Sequence, residues 1–183
     1  MRIVGQLTPD EFWRRVESGE EQVRAGAGSL PPYGLDGWDG PIMIGDWEWQ
    51  GKKLILAGLA HGTPDTNSAV EVVTTVHDPR RQAVRSMERA IGLTPIDADY
   101  ARRHRAIQDV PGSEIQIRVN GRPTAFTTWG GRERWWAAGT VDGRGVVLEG
   151  RRHPLEQVDL VRVDDVEPYL AGRREYIREC RGE

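Results

Sequence analysis

The dipeptide Asn120-Gly121 constrains this chain more than any other feature. It sits between a run that alternates polar and apolar residues, 114–119, and a second run, 123–129, that returns. A two-residue type I′ loop needs positive φ at both positions, which Asn and Gly tolerate best. The period of two in the first run turns one face toward a core and the other toward water. Residues 114–129 therefore predict an antiparallel hairpin. Further strands are expected at 134–141 and 146–151, on either side of the turn Asp142-Gly143-Arg144-Gly145, and again at 158–163. Together these runs predict a five-strand meander.

Upstream, Thr8-Pro9-Asp10-Glu11 reads as a helix start: Thr8 caps, Pro9 fits the first helical position and Glu11 completes a capping box. Phe12, Trp13, Val16 and Val23 then share a face, and the helix is expected to end near Gly26. Residues 26–45 hold six glycines and three prolines and read as a long loop. Residues 42–49 and 53–60 flank the turn Gln50-Gly51-Lys52, and 69–77 is β-branched and apolar, a strand. Asp78-Pro79 opens a helix with Ala83, Val84, Met87 and Ile91 inward. A second helix is expected over 97–108, with Tyr100, Ala101, His104 and Ile107 inward. Asp164 or Asp165 caps a last helix with Val166, Tyr169, Leu170, Tyr176 and Ile177 inward, in which Gly172 costs about 1 kcal/mol relative to alanine.

This order predicts one α+β domain over 1–183. Its sheet is largely antiparallel, with an N-terminal helix, a middle helix pair and a C-terminal helix. A chain of 183 residues can form a sufficient core without disulfides or metal. The single cysteine, Cys180, excludes an internal disulfide and a multi-cysteine zinc site. No apolar run approaches the length of a membrane span, and no apolar leader segment stands near the first residue, so a cytoplasmic location is expected. A weak internal duplication, about 42–92 against 123–180, is suggested by Leu54-Ile55-Leu56-Ala57-Gly58 and Trp135-Trp136-Ala137-Ala138-Gly139.

Motifs for chemistry are scarce. There is no GxxxxGK[ST], no GxGxxG between strand and helix, and no HExxH, GxSxG or CxxC. No cofactor and no metal are expected. The one enzyme-like set is a rim of His61, Asp65 and His77, whose histidines end two strands beside carboxylates. His104 reads as a satisfied core histidine and His153 as a loop residue. Tryptophan numbers seven against two phenylalanines. Trp47 and Trp49 share a strand face, Trp135 and Trp136 must point to opposite faces, and Trp129 ends a strand.

Net charge is only −3, but residues 1–79 carry twelve acids against six bases, whereas 80–105 carry seven arginines against three acids. Arg81, Arg85 and Arg89, spaced by four, form a basic stripe opposite the apolar face of their helix, and Arg102, Arg103 and Arg105 follow on the next. Arginine and tryptophan are the residue types enriched at protein-contact hot spots. The expectation is a non-enzymatic binding protein acting through a protein partner, acidic at the contact, in a toxin-neutralising or other regulatory role. Its contact residues would be Arg81, Arg85, Arg89, Trp47, Trp49 and Trp129. The first alternative is a small enzyme using His61, Asp65 and His77. The second is binding of nucleic acid or phosphate through the arginine helices, which the negative total charge and the missing nucleic-acid motifs disfavour.

Overall fold

The computed structural model describes residues 7–183. The elements, in chain order, are α1 (Pro9–Ala27), β1 (Tyr33–Leu35), β2 (Ile42–Gln50), β3 (Lys53–His61), β4 (Ala69–Thr75), α2 (Pro79–Ala90), α3 (Tyr100–Gln108), β5 (Ser113–Val119), β6 (Arg122–Gly130), β7 (Arg134–Val141), β8 (Arg144–Arg151), β9 (Asp159–Arg162) and α4 (Glu167–Arg181). The nine strands form one curled sheet in the order β1-β9-β5-β6-β7-β8-β4-β3-β2. The α+β class holds, with every neighbouring pair antiparallel except β5 and β9.

The local signals act where the sequence puts them. Thr8 and Glu11 exchange both capping-box bonds at the start of α1. Asn120 and Gly121 take φ of 49° and 78°, and Asp142 and Gly143 take 49° and 73°, so two type I′ turns fix the β5–β6 and β7–β8 registers. Two three-stranded meanders, β2-β3-β4 and β6-β7-β8, join edge to edge through β4 and β8. The similar segments around Gly58 and Gly139 lie in the middle strand of each.

Several expectations need correction. The meander stops at β8: β9 crosses back and pairs in parallel with β5 through Arg118 and Val119. Residues 26–45 are not all loop, because Tyr33–Leu35 is a buried strand on β9. Helix α3 starts at Tyr100 and none of its residues is buried, since it packs on α2 and not on the sheet. Ile91 is 54% exposed; it caps α2 where the chain turns at Gly92, past the end of the buried stripe.

The inner face of the sheet carries Val70, Val72, Ile117, Phe126, Trp135, Ala137, Val146 and Leu148 around Tyr33 and Leu35. The alternate residues Val73, Trp129, Ala138 and Val147 face outward beneath α2, where Ala83 meets them. Trp135 and Trp136 thus point to opposite faces and both are covered. Helix α4 crosses the start of β2 so closely that a Cβ at Gly172 would stand 1.7 Å from the Ile42 carbonyl oxygen. That approach is the reason for a glycine that weakens its own helix.

Strand β1 lies against the inner face. One of its edges pairs with β9. On the other, the Tyr33 N–H donates to Thr74 Oγ1 at 3.2 Å and the Leu35 N–H donates to His61 Nε2 at 3.0 Å. Side chains of β3 and β4 here complete the bonding of a strand that has no second neighbour.

Candidate functional site

His61 is fully buried. Its Nδ1 donates to the Val70 carbonyl at 3.2 Å, and its Nε2 accepts from the Leu35 N–H and lies 3.1 Å from the Tyr169 hydroxyl. Burial pulls its pKa down to about 4, against a smaller upward effect of the Val70 bond and a small downward push from His153. The ring is neutral and fully occupied. His77 stands exposed at the far end of β4. Because β3 and β4 run antiparallel with His61 opposite Val70, seven residues of strand, on the order of 20 Å, separate the two histidines. Asp65 is exposed in the loop at the His61 end. The fold does not bring this rim together.

The tryptophans also divide. Trp47 and Trp49 lie with ring centroids 6.2 Å apart in a groove between β2, α1 and α4, and Trp47 Nε1 donates to the Gly58 carbonyl at 2.9 Å. Trp129 is buried beneath α2, five places along the sheet from β2. It donates to the Val110 carbonyl and carries the Arg80 guanidinium 5.3 Å above its ring. The three do not form one patch.

The arginines do share one. Helices α2 and α3 enclose a cleft of about 960 Å³ lined by Arg80, Arg81, Arg85, Leu93, Tyr100 and His104. Helix α2 buries Ala83 and Val84, so its period turns Arg81, Arg85 and Arg89 outward. Two of them meet acids of the N-terminal segment: Arg89 Nη1 lies 2.7 Å from Asp46 and Arg85 Nη2 lies 3.8 Å from Glu48. Among the described residues, the Arg81 side chain has no ion pair; its backbone N–H is capped by Asp78. Arg102 and Arg103 both pair with Asp99. His104 is half-buried rather than core: its Nδ1 donates to Glu88, and the Tyr100 ring stacks on it at 5.3 Å. No family model and no curated protein matches the chain.

Sequence reasoning missed a polar cluster on the outer face beside α2. Glu71 and Glu149 stand directly opposite in the β4–β8 register, an arrangement of like charges that costs stability. Glu149 is held by Arg134 and Ser86, and Trp136 Nε1 donates to that serine at 3.0 Å. The Glu71 carboxylate lies over Gly45 and Gly58, where added Cβ atoms would stand 3.1 and 3.3 Å from Oε1. Burial, and then the charges of Asp46 and Glu149, push its pKa up. The available signal was an acid inside the apolar run Val70-Glu71-Val72-Val73.

Proposed function

We propose that this is a non-enzymatic binding protein that receives an acidic segment of a protein partner in the α2–α3 cleft. A regulatory role, of which toxin neutralisation is one form, suits a chain of this size without a catalytic motif. The observation that carries the reading is Arg81. It is an exposed cation at the mouth of a cleft beside Leu93 and Tyr100, and among the described residues it has no carboxylate partner. Its neighbours four and eight residues on already pair with acids of this chain, which supports a carboxylate at the position still open. The surrounding apolar and aromatic side chains supply the desolvated contact that charges alone lack.

The rim of His61, Asp65 and His77 carries the enzyme alternative less well, because His61 is buried and His77 lies at the opposite end of β4. Phosphate or nucleic acid is the weaker use of the cleft, since the chain carries a net charge of −3 and no nucleic-acid motif.

The test is a partner isolated by crosslinking from the source cell, identified, and titrated as a purified protein against the wild type and the Arg81→Glu/Arg85→Glu/Arg89→Glu variant. The variant should keep its circular dichroism and weaken binding by about tenfold or more, and wild-type affinity should fall with salt. A partner that binds both proteins alike, or shows no salt dependence, sinks the proposal.

A further inference from the structure

We infer that the segment docked in the α2–α3 cleft is an extended strand with carboxylates at alternate residues, and that Glu48 holds the place of one of them until it arrives. This rests on the acidic-partner reading of the same cleft and adds what the cleft selects for.

The molecule contains its own precedent. Strand β2 is the outermost strand of its end of the sheet and passes beside α2. Its residues alternate in side: Trp47 and Trp49 face α1 and α4, whereas Asp46 and Glu48 reach Arg89 and Arg85. Arginines four apart on a helix are separated by about 6 Å along its axis, and alternate residues of a strand by about 6.7 Å. A strand can therefore present one carboxylate to each arginine in turn. Advancing along β2 from 46 to 48 moves back along α2 from 89 to 85, so Arg81 is the next arginine in that direction. Past Glu48 the β2 register is irregular and the strand ends at Gln50, with no further acid. The internal strand satisfies two arginines and stops one short.

The two internal pairs differ in grip. Arg89 and Asp46 are at hydrogen-bond distance, 2.7 Å. Both pairs are exposed, but Arg85 and Glu48 are 3.8 Å apart with no hydrogen bond between them, which makes Glu48 the more replaceable partner. An incoming strand with acids two residues apart would take Arg81 and Arg85 together, releasing Glu48 to water and leaving Asp46 on Arg89. A pattern of period two fits this stripe, and adjacent paired acids do not, because one of each pair faces away.

The experiment uses labelled octapeptides read by fluorescence anisotropy: one alternating glutamate and threonine, an isomer with glutamates in adjacent pairs, and a helical peptide with glutamates four apart. The alternating peptide should bind about fivefold tighter than its isomer, the equivalent of one exposed ion pair. Glu48→Gln should tighten the alternating peptide by about two- to fivefold by removing the competitor. Arg81→Glu, with circular dichroism unchanged, should abolish the preference. Equal binding of the isomers, or a preference for the helical peptide, overturns the strand inference while leaving the acidic cleft standing. Unchanged affinity in Glu48→Gln overturns the place-holding role alone. Unchanged binding in Arg81→Glu, or tighter binding of a single-stranded oligonucleotide than of any peptide, removes the cleft reading and this inference with it.

Discussion

At the β1 seam, His61 and Thr74 accept from both of the strand's inward N–H groups, and Tyr33 donates its hydroxyl to Asp142 at 2.8 Å. Along the outer side of α2, Arg89 has a close carboxylate, Arg85 a distant one and Arg81 none among the described residues. Both regions join segments far apart in sequence through polar groups, but they lie in different solvents. In the seam no water can replace a missing partner, so each donor needs one. On the stripe, water solvates whatever the protein leaves unpaired, and an open position costs little. The complete region is the scaffold, and the incomplete one is where the proposed partner would add binding energy.

That contrast can be broken in order of expected effect. His61→Leu should be the most damaging change. It strands the Leu35 N–H and the Tyr169 hydroxyl, and should cost roughly 3 kcal/mol in denaturant unfolding, since each stranded buried group costs about 1–3 kcal/mol. A loss below about 1 kcal/mol would mean that water reaches the seam.

Acid should act through the same ring. The folded pKa of His61 lies at about 4, below the value near 6.5 of an unfolded histidine. Above pH 6.5 both states are neutral and the contribution is fully present. As pH falls from 6.5 toward 4, the unfolded chain gains a proton that the folded one refuses, and up to roughly 3 kcal/mol is lost. Glu71 opposes this, because its raised pKa favours the folded state as pH falls through it. Stability should therefore fall with falling pH in the wild type over this window, and the fall should be clearly shallower in His61→Leu. An equal slope in both proteins would place the acid sensitivity elsewhere.

Thr74→Val keeps the shape but removes the acceptor for the Tyr33 N–H, so a loss of about 1.5 kcal/mol is expected, read as a lower denaturation midpoint. At the bottom of the series, Arg85→Ala should shift stability by under about 0.5 kcal/mol, as exposed pairs do. A larger loss would make the stripe part of the scaffold and erase the contrast.

Much of the architecture was legible because its causes are local. The capping box at Thr8, the turns at Asn120-Gly121 and Asp142-Gly143, and the switch of period after Pro111-Gly112 each act within a few residues. The candidate site was legible only in part. The spacing of Arg81, Arg85 and Arg89 placed them on one helix face, but nothing nearby in sequence identifies Asp46 and Glu48 as their neighbours. Trp47, Trp49 and Trp129 looked like one surface by residue type and are separated by the curl of the sheet.

The sequence by itself determined most of the helices and strands, where the hairpins turn, and that the arginines share a stripe, because propensity, capping and side-chain period are properties of adjacent residues. Only the tertiary structure decided that three residues in a glycine- and proline-rich stretch become a buried strand, that β9 returns in parallel to β5, and that His61 is a neutral acceptor in a seam. The bonds responsible join Leu35 to His61 across 26 positions and Tyr33 to Thr74 across 41. A contact over such a distance leaves no local pattern. It forms because the curled sheet carries those side chains to N–H groups that would otherwise be buried without a partner.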